Sequence, residues 1–457
     1  MKSETYGRRR DGLRELAGEG WLLFPAALPV PRNYLANVYP FRQNSHFLYL
    51  TGIQLPGIVL AVGAGGDVLF GPPEDLDDVV WHGPHPTLAE LGAAAGVSEV
   101  RDIAELPRRL ADFEAGGAPV RYLPPFNGDS RLQLARLLGR AVEEVDLGAS
   151  PELARAICAL REVKDADEIA EIEDALAVTA EMHHLAMNLA RDGVHEAEIA
   201  AATQRVALAK GRQQAYNPII SVRGEVLHNN HYVNPLRPGQ LLLNDSGAES
   251  PLGYASDITR TTPVGGRFSP RQRDVYEIVL DAQLAAIEAA HPGVAYRDLH
   301  VLACLKIAQG LIDLGLMKGN AQDAAAAGAH ALFFPHGLGH QLGLDVHDME
   351  DLGDVVGYGA EGRSDQFGLN FLRLARPLAP GWVFTVEPGI YFIPALIERW
   401  REEGRHRDFI AYDRLEDWLD FGGIRIEDDV LCTESGARVL GPGIAKTVTE
   451  VEARANA

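Results

Sequence analysis

Apolar positions follow a helical period in four stretches of the chain and a strand period between them. From Asp165 to Ala190 the residues Ile169, Ile172, Leu176, Met182, Leu185 and Leu189 form one stripe with acidic residues between, which predicts an amphipathic helix. His183 and His184 fall inside it and are expected to be exposed or half-buried polar residues. A second helix is predicted from about His195 to Lys210, stopping at Gly211. A third opens at Ser269-Pro270-Arg271-Gln272: an N-cap serine, a proline at the first helical position and a capping-box glutamine. A fourth covers roughly Tyr296 to Leu314 and stops at Gly315. The segments NPIISV, LLLND, DITRTTPV, WVFTVE and GIRIEDDV read as strands. Together they predict an α+β domain, an antiparallel sheet with helices on its outer face.

The chain ahead of this pattern alternates faster. SHFLYLTG, GIVLAVG and GDVLFG read as strands, and PTLAELGAAAG and DSRLQLARLLGRAV as helices, giving a smaller α/β domain without a catalytic cluster. The boundary is placed in 148–165, with an N-terminal domain over 1–155 and a second domain over 165–457. Gly63-Ala64-Gly65-Gly66 lacks GxGxxG spacing and leads into a strand, so it is read as a hairpin turn. Trp81-His82-Gly83 is read as a surface turn, the alternative being that it reaches a partner subunit's active site.

Composition narrows the classes. Lys and Arg total 42 against 64 Asp and Glu, a net −22, which opposes nucleic acid or an anionic membrane as partner. The apolar stretch from Trp21 is broken by Pro25, Pro29 and Pro31, and neither a signal peptide nor a bilayer-spanning run is expected. Cys158, Cys304 and Cys432 are scattered, in no CxxC pair, which predicts a reducing, cytoplasmic setting.

Five short peptides then carry the chemistry: LLLNDSGAE, YASDITRT, HGLGHQLGLDVHD, TVEPG and GGIRIEDD. They contain Asp245, Asp257, His340, Glu387 and Glu427. Four carboxylates around one point repel unless some are protonated or cations neutralise them, and two divalent cations supply four positive charges. Asp245 and Asp257 are twelve residues apart around the tight-turn sequence Ser250-Pro251-Leu252-Gly253. With Pro251 and Leu252 central, the two aspartates pair to within one residue, a slip that a bulge near Gly247 would absorb. Arg425 and Glu427 share one strand face while Ile424 and Ile426 take the other, so Arg425 can orient Glu427 or a neighbouring carboxylate. Glu387 precedes Pro388-Gly389 and should end a strand. His336 and His340 have i, i+4 spacing, but Gly337 and Gly339 predict a loop or strand there, so only one of them need be a ligand. A set of one histidine and four carboxylates suits Mn²⁺ better than structural Zn²⁺.

This set, with YPFRQNSHFLYLTG in the first domain, resembles the proline-specific pita-bread metallopeptidases, aminopeptidase P and prolidase, relatives of methionine aminopeptidase and creatinase. The resemblance spans nearly the whole chain and implies a pita-bread catalytic domain behind a creatinase-like N-terminal domain. It implies that Asp245 binds one metal, Asp257 and Glu427 bridge both, and His340 and Glu387 bind the second. A shared water would be the nucleophile and Glu387 its proton acceptor. His347 would stabilise the oxyanion or position the scissile carbonyl, His336 would line the substrate pocket, and His228 would contact substrate and assist proton movement. Arg425 is placed among the substrate-binding residues as well.

Two details lean toward prolidase. Glu387 and Glu427 are 40 apart, a long insert, and Arg373 in LNFLRLARPL resembles a carboxylate-gripping arginine. The expectation is therefore an Xaa-Pro dipeptidase. The alternatives are an aminopeptidase P acting on longer peptides with proline second, a non-catalytic pita-bread peptide-binding protein, and, more remotely, a creatinase-like C–N hydrolase. The cofactor expected is two Mn²⁺ ions, with Co²⁺ or Zn²⁺ as alternatives. The partners expected are small proline-containing peptides and a second copy of the chain, a homodimer.

Overall fold

The computed structural model describes residues 1–359 and 362–457 and divides into two units: Met1–Arg161 with Met349–Val356, and Glu162–Asp348 with Gly357–Ala457. The short segment 349–356 thus belongs to the first unit, although it lies within the residue range read as the second domain.

In the first unit the strands Glu99–Asp102, Gly66–Gly71, Val59–Gly63, Trp21–Pro25 and Val120–Tyr122 lie side by side in that order. The Gly63 segment is the expected hairpin, with Gly63 paired to Gly66. SHFLYLT is a helix, Ser45–Thr51, rather than a strand. Its ends decide this. The Asn44 side chain accepts from the amides of His46 and Phe47, and Gly52 closes the last turn in the left-handed region. All seven helical residues are buried, so the apolar run carries no strand period to oppose the caps. The Asp351 carboxylate of the added segment meets His46 Nε2 at 3.0 Å.

The second unit repeats one motif. Helices Ala166–Leu189 and Glu196–Ala209 form one pair, and Pro270–Ala289 and Tyr296–Asp313 form another. Each pair turns at a Gly-Val, with Gly193 at φ 81° and Gly293 at φ 86°, where a side chain would strain the backbone. The capping box at Ser269–Gln272 is formed. Strands Ile219–Ser221, Leu241–Asp245 and Thr259–Pro263 make one antiparallel sheet. Gly436–Val439, Asp428–Thr433 and Val383–Val386 make another, and Gly389–Tyr391 pairs with Gly423–Arg425. Val275, Val279, Leu299 and Ile307 from the second helix pair share one core with Phe384, Ile424, Ile426 and Val430 from the strands. This is the α+β pita-bread arrangement, preceded by an α/β unit.

GIRIEDDV is split in two, and WVFTVE is followed past Glu387-Pro388 by a separate strand. Val383–Val386 pairs with Asp428–Thr433, whereas Gly389–Tyr391 pairs with Gly423–Arg425. Both chains change sheets at the same level, where Pro388 accepts from the Ile426 amide. Glu387 and Glu427 sit at these two breaks. His183 is fully buried, which corrects its reading as exposed or half-buried: its Nε2 lies 3.0 Å from the Ser246 carbonyl and its Nδ1 3.2 Å from Asn244. Among the described residues no helix is long and apolar enough to cross a membrane.

Candidate metal centre

The hairpin carrying the two aspartates is built around Ser250–Gly253, where the Gly253 amide donates to the Ser250 carbonyl. Its register differs by one residue from the sequence expectation. Asp245 pairs with Thr259, and Asp257 lies two residues before it on the same strand face. The extra residue is Gly253 itself, at φ 81°, next to the turn rather than at Gly247. Gly247 has a different duty: a Cβ there would lie 1.8 Å from the Ser256 carbonyl, so only glycine lets the two strands close. The carboxylates of Asp245 and Asp257 are joined through the Tyr216 hydroxyl, which lies 2.6 Å from Asp245 Oδ1 and also contacts Asp257 Oδ1.

His340 comes from a loop laid along strand Val383–Val386. Its amide donates to Thr385 Oγ1, its carbonyl accepts from the Thr385 amide, and the Glu387 amide donates to Leu338. Gly339 permits the approach, since a Cβ there would lie 2.3 Å from the Thr385 carbonyl. His340 Nδ1 donates to the Gln341 carbonyl at 3.0 Å, which leaves the Nε2 lone pair for a metal. That Nε2 lies 3.4 Å from Asp257 Oδ2 and 3.7 Å from Glu387 Oε1. Ligand atoms of Asp257, His340 and Glu427 all lie within 4.8 Å of one another, and all three residues are buried. His336 points its Nε2 to the Tyr391 hydroxyl at 2.9 Å instead, with Nδ1 on the Gly337 carbonyl, so its nitrogens are already used.

Arg425 ties the floor together. It donates to Asp245, to Thr259 Oγ1 at 3.1 Å and to the Tyr391 hydroxyl at 2.9 Å. The Thr259 hydroxyl in turn donates to Glu427 Oε2 at 2.7 Å. Burial alone would lower the Arg425 pKa, but the charges around it hold it well above the usual value. Arg425→Lys keeps the charge and loses the fork, so metal affinity should fall roughly 10- to 100-fold with the fold intact. A metal titration by calorimetry checks this, and an unchanged affinity rejects the orienting role.

Without cations the cluster cannot be fully ionised. Burial, then the Asp245 charge, pushes Asp257 up to about 8. Burial pushes Glu387 up to about 7, although 18% of its side chain stays accessible, and Glu427 goes well above the carboxylate range. The Tyr216 hydroxyl has one proton and two carboxylate neighbours, so the second contact requires a proton on a carboxyl. The donor set fits hard divalent cations, which would take the place of these protons. Asp245, Asp257, His340, Glu387 and Glu427 are the residues that would hold them.

A cavity of about 940 Å³ opens over this floor, lined by His228, His336, His347, Arg373, Arg363 and Phe371 among others. The His347 ring lies tilted against His340, with ring centroids 4.1 Å apart. Burial, then Arg425, lowers the His228 and His336 pKa values, which keeps both imidazoles neutral. Arg373 is an exposed residue of the cavity lining whose charge bears on His228 and His336. Sequence reasoning missed Tyr216, Thr259 and Tyr391, none of which has a motif of its own. It also missed Asp429, whose carboxylate accepts from the Asp257 amide at 3.0 Å; only its place next to Glu427 in IEDD hinted at it.

Residues 170–434 match the model of metallopeptidase family M24, and residues 6–120 match the aminopeptidase P N-terminal domain. A probable Xaa-Pro aminopeptidase of Verticillium alfalfae is 36% identical over 419 residues, covering 90% of this chain and 87% of that protein. An aminopeptidase of Pseudomonas aeruginosa superposes with a TM-score of 0.82 at 31% identity, over 100% of this chain and 98% of the other. Zinc-substituted aminopeptidase P of E. coli in complex with product does so with a TM-score of 0.82 at 29% identity, with the same coverage.

Proposed function

Because this chain is a member of metallopeptidase family M24 with an aminopeptidase P N-terminal domain, we propose that it is an Xaa-Pro aminopeptidase, releasing the first residue of peptides with proline second. The cavity carries this reading. At about 940 Å³ it lies at the upper end of small-ligand sites, with room for more than a dipeptide. The relatives named for aminopeptidase activity support it. The dipeptide preference expected from Arg373 and the 40-residue spacing gives way to this reading, which those relatives favour.

Asp245, Asp257, His340, Glu387 and Glu427 would hold two divalent cations, proposed as Mn²⁺, which would supply Lewis-acid activation of water and substrate. Glu387, 18% accessible at the cavity edge, accepts the proton of the attacking water and returns it to the proline nitrogen. His347, beside His340, donates to the oxygen that becomes negative. Neutral His228 and His336 line the approach and orient the peptide, and the Arg425–Tyr391 pair holds His336 in place. Three free buried cysteines accord with a reducing, cytoplasmic setting. The homodimer is proposed on the exposed helix Leu76–His82, where Leu76, Val80 and Trp81 are 76%, 70% and 81% accessible.

The test compares an Xaa-Pro dipeptide with an Xaa-Pro-Yaa tripeptide, with and without added Mn²⁺. The tripeptide should be cleaved about tenfold or more faster in kcat/KM, a difference of about 1.4 kcal/mol. A dipeptide preference that Arg373→Ala abolishes would restore the prolidase reading.

A further inference from the structure

Away from the dinuclear centre, three soft ligands meet inside the core of the second unit. His300 and Cys304 lie one turn apart on helix Tyr296–Asp313, and His330 comes from the short helix Ala329–Leu332. Their ligand atoms lie within 4.8 Å of one another, and all three residues are buried. Cys304 Sγ is 3.4 Å from His300 Nε2. Neither nitrogen of His330 nor Nδ1 of His300 has a hydrogen bond of proper geometry, although the Ala325 carbonyl lies near enough to His330 to offset a little of its burial. A buried ring nitrogen without a partner is costly, and an ion held through His300 Nε2 would satisfy one of the two on His330.

We propose that His300, Cys304 and His330 form a second, separate metal site that takes a monovalent soft ion, Cu(I), in three-coordinate N₂S geometry. Donor type selects the class, since thiolate and imidazole together suit Cu(I) or Zn²⁺ and not the hard cations of the carboxylate centre. Charge then selects within the class. Binding breaks the Cys304 S–H bond, forms a metal–sulfur bond and releases one proton. Cu(I) with one thiolate and two neutral imidazoles is uncharged. Zn²⁺ with the same ligands leaves one positive charge in the apolar core to which Cys304, Ile307, Ala331, Leu332 and Phe334 belong. Among the described residues no carboxylate bears on either ring: the groups that act on His300 are His330 and His336, and on His330 it is His406. Both imidazoles are held neutral, at about 3 and about 4, so neither must lose a proton to bind.

Ligand atoms of such an ion stand about 3.3 to 3.7 Å apart. The Cys304–His300 pair is already at 3.4 Å, and His330 need move only about 1 Å. An ion there would cross-link helix Tyr296–Asp313 to the segment leading through Phe334 to His336.

The protein, its carboxylate centre loaded with Mn²⁺, is titrated anaerobically with Cu(I) against a chromophoric Cu(I) chelator. Protein from cells grown with added copper is analysed in parallel. About one copper per chain is expected in at least one preparation, with X-ray absorption showing one sulfur and two nitrogen neighbours. Cys304→Ser and His330→Gln should each weaken binding tenfold or more, while Cys432→Ser retains it, and loaded protein should melt higher than unloaded. Far-UV circular dichroism and peptide hydrolysis verify that each variant folds. Copper at no higher level in the wild type than in both variants overturns the site, and Zn²⁺ displacing Cu(I) overturns the charge argument.

Discussion

Asp257→Asn is expected to abolish metal loading and to lower Xaa-Pro hydrolysis on the order of a thousandfold or more, while leaving the metal-free protein as stable as the wild type or more so. The two halves of this result have one cause. Asp257 is 5% exposed, and its side chain touches the Tyr216 hydroxyl and approaches His340 Nε2. Asparagine keeps the shape and the contact with Tyr216 but cannot offer an anionic oxygen to each of two cations. In the metal-free state that same anion is a liability, since burial and Asp245 push its pKa up to about 8. Removing the charge therefore relieves the apo protein. Metal content by mass spectrometry, turnover on a tripeptide and thermal melting after chelation read the three parts. Retained turnover, or apo stability lost along with activity, would mean that Asp257 serves the fold rather than the cations. Glu427→Gln should behave alike, because the Thr259 hydroxyl that donates to Glu427 can still donate to an amide oxygen.

The second large effect is on pH. Asp257 and Glu387 ordinarily titrate near 3.8 and 4.5, and burial raises them to about 8 and about 7 in the metal-free fold. A raised acid favours folding in its protonated form. Its contribution is full below about pH 4 and is lost as pH climbs through 7 to 8. The chelated protein should thus melt progressively lower from pH 5 to 8.5. Asp428 runs the other way but outside that window. Burial would raise it, yet Arg260 and Lys446 hold it down to about 2. The metal-loaded protein reverses the trend, because each cation must displace protons. Metal affinity should rise about ten- to a hundredfold per pH unit up to neutrality, with one to two protons released per loaded centre. Calorimetry at pH 6 and 7 in buffers of different ionisation enthalpy measures both quantities. A flat affinity would show that the carboxylates are already ionised without metal.

Much of the centre was legible in the chain because each ligand sits in a peptide with its own local signature. A tight turn lies between Asp245 and Asp257, glycines flank His340, Pro-Gly follows Glu387, and isoleucines alternate with Arg425 and Glu427. Capping residues likewise announced helix Pro270–Ala289 before any contact was known. The same logic misled at SHFLYLT, where composition suggested a strand but Asn44 and Gly52 enclose a helix.

By itself, the sequence determined the fold class and singled out four carboxylates and one histidine as a candidate ligand set, because those properties reside in residue type and short-range spacing. Only the tertiary structure decided which member of each local cluster does which task. In Glu427-Asp428-Asp429 the first side chain enters the centre, the second turns to Arg260 and Lys446, and the third holds the Asp257 amide. The side chains alternate without a break from Ile424 to Val430, and which partners each face meets is set by the strands packed against it. That packing depends on Pro388 and Thr259, partners 38 and 168 residues away, and no local pattern encodes so distant a pairing.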